Sequence, residues 1–242
     1  MRTLVCAHRG ASGYAPENTL EAFQLAVEQG ADAVELDVQL TRDKQLIVAH
    51  DERIDRVSDG SGLISMLSLK DIKSHLFNAT HPAYLDSRAP TLEEVFDLLM
   101  ATGLVINVEL KNSRIPYAGM EEKCIELARR KGMSKRVIYS SFNHHSLVKV
   151  KTIDPDAACG LLYDCCMVEP WVYADHLGIE ALHPHYSELL LNPRECGEAH
   201  KAGLKVNAWT VNDDRDMKKV FELQADMLIT NYPDRALVVR DV

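Results

Sequence analysis

No run in the 242 residues approaches the roughly 18 consecutive apolar residues that a transmembrane helix requires. There is no Ser/Gly-rich linker and no low-complexity tract, which argues against two tethered domains. Basic residues are not in excess: 27 Lys and Arg face 36 Asp and Glu, a net charge of −9, and the cations are scattered. That balance argues against a nucleic-acid surface and makes any anion site local. Cysteine is sparse and unpatterned, with Cys6, Cys124, Cys159, Cys165, Cys166 and Cys196 forming no Cys-x-x-Cys pair. Buried thiols in a reducing compartment are then expected rather than zinc or disulfides. The chain enters an apolar run by residue 3, leaving no room for a signal segment, and the expected location is cytoplasmic.

At 46% hydrophobic and 26% charged, the composition suits one large globular domain spanning 1–242. Strand and helix patterns alternate. VCAHR, AVELDV, VINVELK, VIYSSF, GLLYD, EALHPH, VNAWTV and DMLITN make eight apolar runs with polar ends, the number that closes a TIM-type (β/α)8 barrel. The spacing predicts helices over 18–29, 92–102, 119–131, 144–153, 168–177, 213–224 and from Asn192–Pro193 to Gly203. Thr91 and Glu94 form a capping box for the second of these. One run is left over, LIVAHD at 46–51. No helix separates it from AVELDV, so it is expected to return as a hairpin turning near Asp43 and to bring His50 opposite Glu35 and Asp37. Residues 52–90 then form an insertion after the His50-Asp51 hairpin, with a short helix at 68–76, expected to act as a lid or a substrate-shaping insert.

Barrel chemistry collects at the carboxyl ends of strands. Glu35 and Asp37, two apart on a strand, face the same way, and Glu109 with Lys111 repeats the spacing. A lone carboxylate there is ordinarily solvated or a helix cap. Three converging on one mouth repel unless a cation lies between them, and an all-oxygen ligand set favours magnesium, calcium or manganese. His8 and His50 flank this cluster as a base and an acid suited to neutral pH. Arg9 and Lys111 are cations suited to phosphate oxygens. Three carboxylates, a divalent ion and two cations carry a formal +1, which a phosphodiester monoanion neutralises and a monoester overshoots. Trp209 and Phe142 stand near strand ends, where they either wall a substrate group or pack in the core. Glu17 and Asn18 brace the first loop, although helix capping explains Asn18 almost as well.

HRGASGYAPENTLEAF, followed by ELDVQLTRD, LIVAHD, ELK, SSF and AWTVN, resembles the glycerophosphodiester phosphodiesterase family from residue 3 to about 233. The resemblance implies a barrel with a small insert and a divalent metal held by Glu35, Asp37 and Glu109. It also implies phosphate contacts from Arg9 and Lys111, acid and base roles for His8 and His50, and a small-molecule glycerophosphodiester as substrate. One departure stands out: TNYP at 230–233 replaces the family's frequent T-D-x-P, expected to affect only a minor contact of the final loop. His183 and His185 resemble the H-x-H ligand pair of amidohydrolases but lie on the wrong strand. Two other readings remain: cleavage of lysophospholipids or sphingolipids by the same fold, which wants an apolar lid where LISMLSL is the only apolar stretch, and an inert anion-binding barrel.

Overall fold

A computed structural model describes residues 2–241. Its strands are β1 (Leu4–His8), β2 (Ala33–Leu40), β3 (Leu46–Val48), β4 (Val105–Leu110), β5 (Val137–Ser141), β6 (Ala158–Tyr163), β7 (Ala181–Pro184), β8 (Lys205–Ala208) and β9 (Met227–Thr230). Eight run parallel in one wall, and β1 pairs with both β2 and β9, which closes the barrel. β3 stands outside that count as the returning arm of a hairpin. It lies antiparallel to β2, with Val38 opposite Val48 and Leu40 opposite Leu46. The hairpin turns at Thr41–Gln45, where Lys44 has a φ of +60° and Thr41 Oγ1 donates to Asp43 Oδ1.

Alternation along β2 shows how sequence becomes two surfaces. Val34, Leu36 and Val38 point outward into the layer between strands and helices, with Phe23, Leu92, Val95 and Phe96. Ala33 points inward with Cys6, Met227 and Ile229, filling the lower barrel, and Glu35 and Asp37 continue that inner face upward. Burial of one large apolar side chain in the outer layer contributes roughly 1.5–3 kcal/mol. The helix Leu92–Leu99 presents Leu92, Val95, Phe96 and Leu99 to it, and the expected capping box is formed: Thr91 Oγ1 accepts from Glu94 N, and Glu94 Oε2 accepts from Thr91 N at 2.7 Å.

Of the other expected helices, His144–Ile153 has the expected bounds and the rest are found with shorter ends. Two were not anticipated, Tyr186–Leu191 and Pro233–Asp241. The first has six residues, too few to show a period. The second buries only Pro233 and Ala236, so its apolar residues form no stripe; Arg240 ties it to the barrel base by donating to Thr3 O at 3.1 Å. The segment 52–90 is built around its own small core, in which Ile54, Ile64, Ile72 and Phe77 pack with Ile47 and Ala49. Its expected helix is confined to Leu69–Lys73, capped by Ser68. Within LISMLSL, Ile64 turns into that core and Met66 alone is exposed, at 65%. Among the described residues no helix is long and apolar enough to cross a membrane. All six cysteines are free, and only Cys165 and Cys166 are exposed.

Candidate active site

Strand register assembles the site. His8 is level with Glu35 across β1 and β2, and Asp37 is level with Glu109 across β2 and β4. One oxygen from each of Glu35, Asp37 and Glu109 lies within 4.8 Å of the others. The hairpin delivers His50 as expected: Ala49 N donates to Asp37 O, and Gln39 Nε2 reaches the carbonyls of Ala49, His50 and Asp51 at 3.0, 3.1 and 2.6 Å. An amide nitrogen has two hydrogens, so it shares them among three acceptors. Gln39 was missed at the sequence level, yet it extends the Glu35-x-Asp37 alternation by one more inward step.

The first loop presses its backbone onto the carboxylates. Arg9, at φ +57°, donates its N–H to Glu35 Oε2 at 2.9 Å, and Asn18, at φ +58°, donates Nδ2–H to Asp37 Oδ2 at 2.8 Å. The left-handed region costs non-glycine residues on the order of 1–3 kcal/mol, which these bonds offset. Between the two, Gly10 at φ +80° leaves no room for a Cβ, which would lie 2.5 Å from the Ala22 carbonyl carbon. Thr19 is the helix cap, so Asn18 serves the site instead. The Arg9 side chain donates Nη1–H to Glu17 Oε1 at 2.9 Å and lies 3.2 Å from Asp37 Oδ2 through Nε. The second approach lacks hydrogen-bond alignment, so Nε keeps a buried donor free. Lys111 Nζ donates to Glu109 Oε1 at 2.8 Å.

A further ring surrounds these groups, of which the sequence pointed only to Glu17 as a brace of the first loop. Arg56, from the insertion, donates Nε–H to Asp51 Oδ2 and forks both Nη groups onto the Glu17 carboxylate at 2.8 Å each. Glu17, Asp51 and Arg56 together add one negative charge next to the formal +1 counted above. The two histidines have different partners. His50 Nδ1 lies 2.7 Å from Asp51 Oδ1; His8 Nδ1 lies 2.7 Å from Asn231 Oδ1. This corrects the expectation that the TNYP departure touches only a minor loop contact. The substituted residue holds the imidazole of His8 itself, a contact between residues 223 positions apart.

Burial, then the positive charge of Arg9, depress His8 to about 3, so its imidazole is neutral at physiological pH. Burial and the Asp37 and Glu109 charges push the Glu35 carboxyl well above its usual range, and burial and Asp37 raise Glu109. Burial works against ionisation of Asp37 too, but Arg9, His50 and Lys111 outweigh it and hold that carboxyl low. An ionised carboxylate between two that resist ionisation is a cluster short of positive charge. Asp37 Oδ1 is moreover buried without a hydrogen-bond partner. Three anionic oxygens with one acceptor unsatisfied fit a hard divalent cation.

Phe142 and Trp209 pack edge to face, ring centroids 5.5 Å apart, and Trp209 Nε1 donates to His183 O at 2.7 Å. They line different spaces. A cavity of about 360 Å³ is bounded by His50, Glu52, Lys111, Arg114 and Phe142. A cleft of about 20 Å³, room for roughly one water, is bounded by His8, Asn107, Ser140 and Trp209. Glu109 borders both. Asn107 Oδ1 and Ser140 Oγ are buried in the cleft without partners. A groove of about 350 Å³ at Lys44, Glu93, Lys123 and Arg130 shares no residue with this site. His183 and His185 do not form a ligand pair: His183 is buried on Asn207 Nδ2 at 2.8 Å, and His185 caps the helix Tyr186–Leu191.

A model of the glycerophosphoryl diester phosphodiesterase family matches residues 8–235. A glycerophosphodiester phosphodiesterase of Caldanaerobacter subterraneus subsp. tengcongensis is 41% identical over 235 residues, covering 97% of this chain and 96% of that protein. A Bacillus subtilis protein of the same name is 36% identical, covering 96% of this chain and 85% of its own. Among solved structures, an Oleispira antarctica phosphodiesterase in complex with its product sn-glycerol-3-phosphate superposes with a TM-score of 0.91 at 31% identity, covering 100% of this chain and 98% of that one.

Proposed function

The chain belongs to the glycerophosphoryl diester phosphodiesterase family, and from that premise we propose that it hydrolyses glycerophosphodiesters to glycerol 3-phosphate and an alcohol, with a divalent cation and two histidines. It is an enzyme of the phosphoric diester hydrolase class. The observation that carries the finer reading is the convergence of three carboxylates, two cations and two histidines on one barrel mouth. Glu35, Asp37 and Glu109 would hold magnesium, calcium or manganese, and such an ion supplies neutralisation of the cluster and polarisation of phosphoryl oxygens.

The remaining chemistry belongs to side chains. Arg9, with its free Nε–H, and Lys111 bind the phosphoryl oxygens. His8 is the base: Asn231 Oδ1 accepts a hydrogen bond from Nδ1–H, which leaves the Nε2 lone pair free to receive the proton of a water in the small cleft beside it. His50 is the acid: it lines the larger cavity, Asp51 fixes its Nδ1, and Nε2 protonates the departing alkoxide there. Because they border different spaces, the two histidines would serve the attacking and the departing oxygen separately, as an in-line displacement requires. Phe142 and Trp209 form the apolar wall against which the substrate rests.

We take 1–242 as one catalytic domain in which 52–90 acts as a lid, with Arg56 as its latch. The substrate is a small molecule, and the net charge of −9 argues against a nucleic-acid partner. Six free cysteines suit a cytoplasmic setting. Nothing favours the lipid-cleaving alternative: Ile54, Ile64, Ile72 and Phe77 of the insertion are spent on its own core, and only Met66 and Leu85 of its large apolar residues are exposed. The test is a coupled assay for glycerol 3-phosphate released from choline, ethanolamine and glycerol diesters, with and without chelator. Turnover that survives exhaustive chelation would refute the metal centre; equal rates on a monoester would refute the diesterase assignment.

A further inference from the structure

The cavity between His50 and Phe142 carries more side chains than hydrolysis needs. His50, Glu109 and Lys111 already have roles, and Asp51 has both oxygens occupied, by His50 and by Arg56. Glu52, Ser113, Arg114 and Phe142 remain. Glu52 is fixed from behind by the insertion: its carbonyl accepts from Ile64 N at 2.9 Å, and Ile54 N donates to Gly62 O at 3.1 Å on the same short ladder. Its side chain is 29% exposed, whereas that of Arg114 is 83% exposed and reaches Glu52 Oε1 only at 3.8 Å, too far for a hydrogen bond. Lys111, the buried cation of this cavity, is held on Glu109 Oε1; of the two charges left over, the less exposed is the negative Glu52, and the positive Arg114 is largely in solvent and displaceable. Phe142, 37% exposed, offers an aromatic ring to the same cavity.

We infer that this cavity is a subsite for a compact cationic alcohol, an ammonium-bearing headgroup, with Glu52 as its counter-charge and Phe142 as its aromatic wall. The inference rests on the diesterase reading above, with the alcohol leaving on the His50 side. A carboxylate paired with an aromatic ring is the chemistry that holds quaternary and primary ammonium groups. An anionic headgroup would bring its charge beside Glu52 and Asp51, and a neutral polyol would forgo the attraction. Arg114 would swing into solvent when the cation enters.

Glu52→Gln and Arg114→Ala are to be compared with wild type by kcat/KM on glycerophosphocholine and glycerophosphoglycerol. The ratio of the two should fall about fivefold in Glu52→Gln, the scale of one partly exposed charge pair, through KM. It should rise in Arg114→Ala, which removes the competing cation. If Glu52 merely holds the insertion in place, both substrates will lose equally and the ratio will stay put, which overturns the subsite. A ratio that moves the same way in both variants overturns it too. Failure of the wild type to cleave any diester would instead refute the hydrolase reading, and this inference with it.

Discussion

Replacing Asn231 tests how His8 is held. The backbone at this position is anchored independently, because Asn231 N donates to Asn212 Oδ1 and Asn231 O accepts from Gly13 N, both at 2.9 Å. A side-chain change therefore acts on His8 and not on the loop. Asn231→Leu removes the acceptor 2.7 Å from Nδ1. A buried donor left unpaired costs roughly 1–3 kcal/mol, a loss of about 5- to 150-fold in kcat/KM if the ring must be kept in place for the reaction. The ring can also escape by moving its proton to Nε2, which abolishes the lone pair. Asn231→Asp keeps an acceptor and adds a negative charge, so orientation survives while the protonated ring gains a partner. An opposite charge at this range raises a histidine by about 1–3 units, upward from a starting value of about 3. A base is lost when protonated, so the acid limb of kcat/KM should move to higher pH in the Asp variant, read at saturating metal between pH 4 and 9. Two variants within twofold of wild type across that range, or a limb that stays or moves down, would refute the assignment of His8 as base and of Asn231 as its positioning residue.

Three other outcomes are expected. Thermal shifts with manganese or magnesium should be positive and should fade as pH falls, because burial and mutual repulsion raise Glu35 and Glu109 and protons then compete with the ion; a shift independent of pH would contradict the carboxylate cluster as the binding site. His50→Ala should lose at least ~10²-fold in kcat on glycerophosphocholine yet recover much of it on a p-nitrophenyl ester, whose leaving group needs no proton. Equal losses on both esters would remove His50 from the acid role. Gly160→Ala should destabilise the barrel by about 1–3 kcal/mol or more in urea unfolding, because the new Cβ would lie 2.1 Å from His183 Nε2 on a ring that Asn207 holds. Adding His183→Ala should restore most of the loss, and a double variant no better than the single would show that the clash is not the cause.

The barrel was legible in the sequence because each strand ends in a polar group where its apolar alternation stops. The carboxylates were legible because Glu35-x-Asp37 and Glu109-x-Lys111 repeat an alternation that faces one way. Asn231, Arg56 and Gln39 were not, since each acts across space on a partner that nothing local marks. The left-handed turns at Arg9 and Asn18 were hidden for a related reason: neither is glycine, and only bonds to Glu35 and Asp37 sustain them. The helix Pro233–Asp241 was unreadable because its contacts with the barrel base leave no apolar stripe.

The closure of β1 on β9 also orders events during synthesis. Every charged group assigned to the reaction lies between residues 8 and 111, while the strand that closes the wall begins at Met227 and the partner of His8 is Asn231. A chain emerging from the ribosome thus exposes the whole catalytic set early, in a half-barrel whose first strand has an open edge. Turnover should appear in arrested chains only once β9 has emerged, and any from a chain halted at residue 204 would contradict this. The last strand to be made is the one that licenses the first.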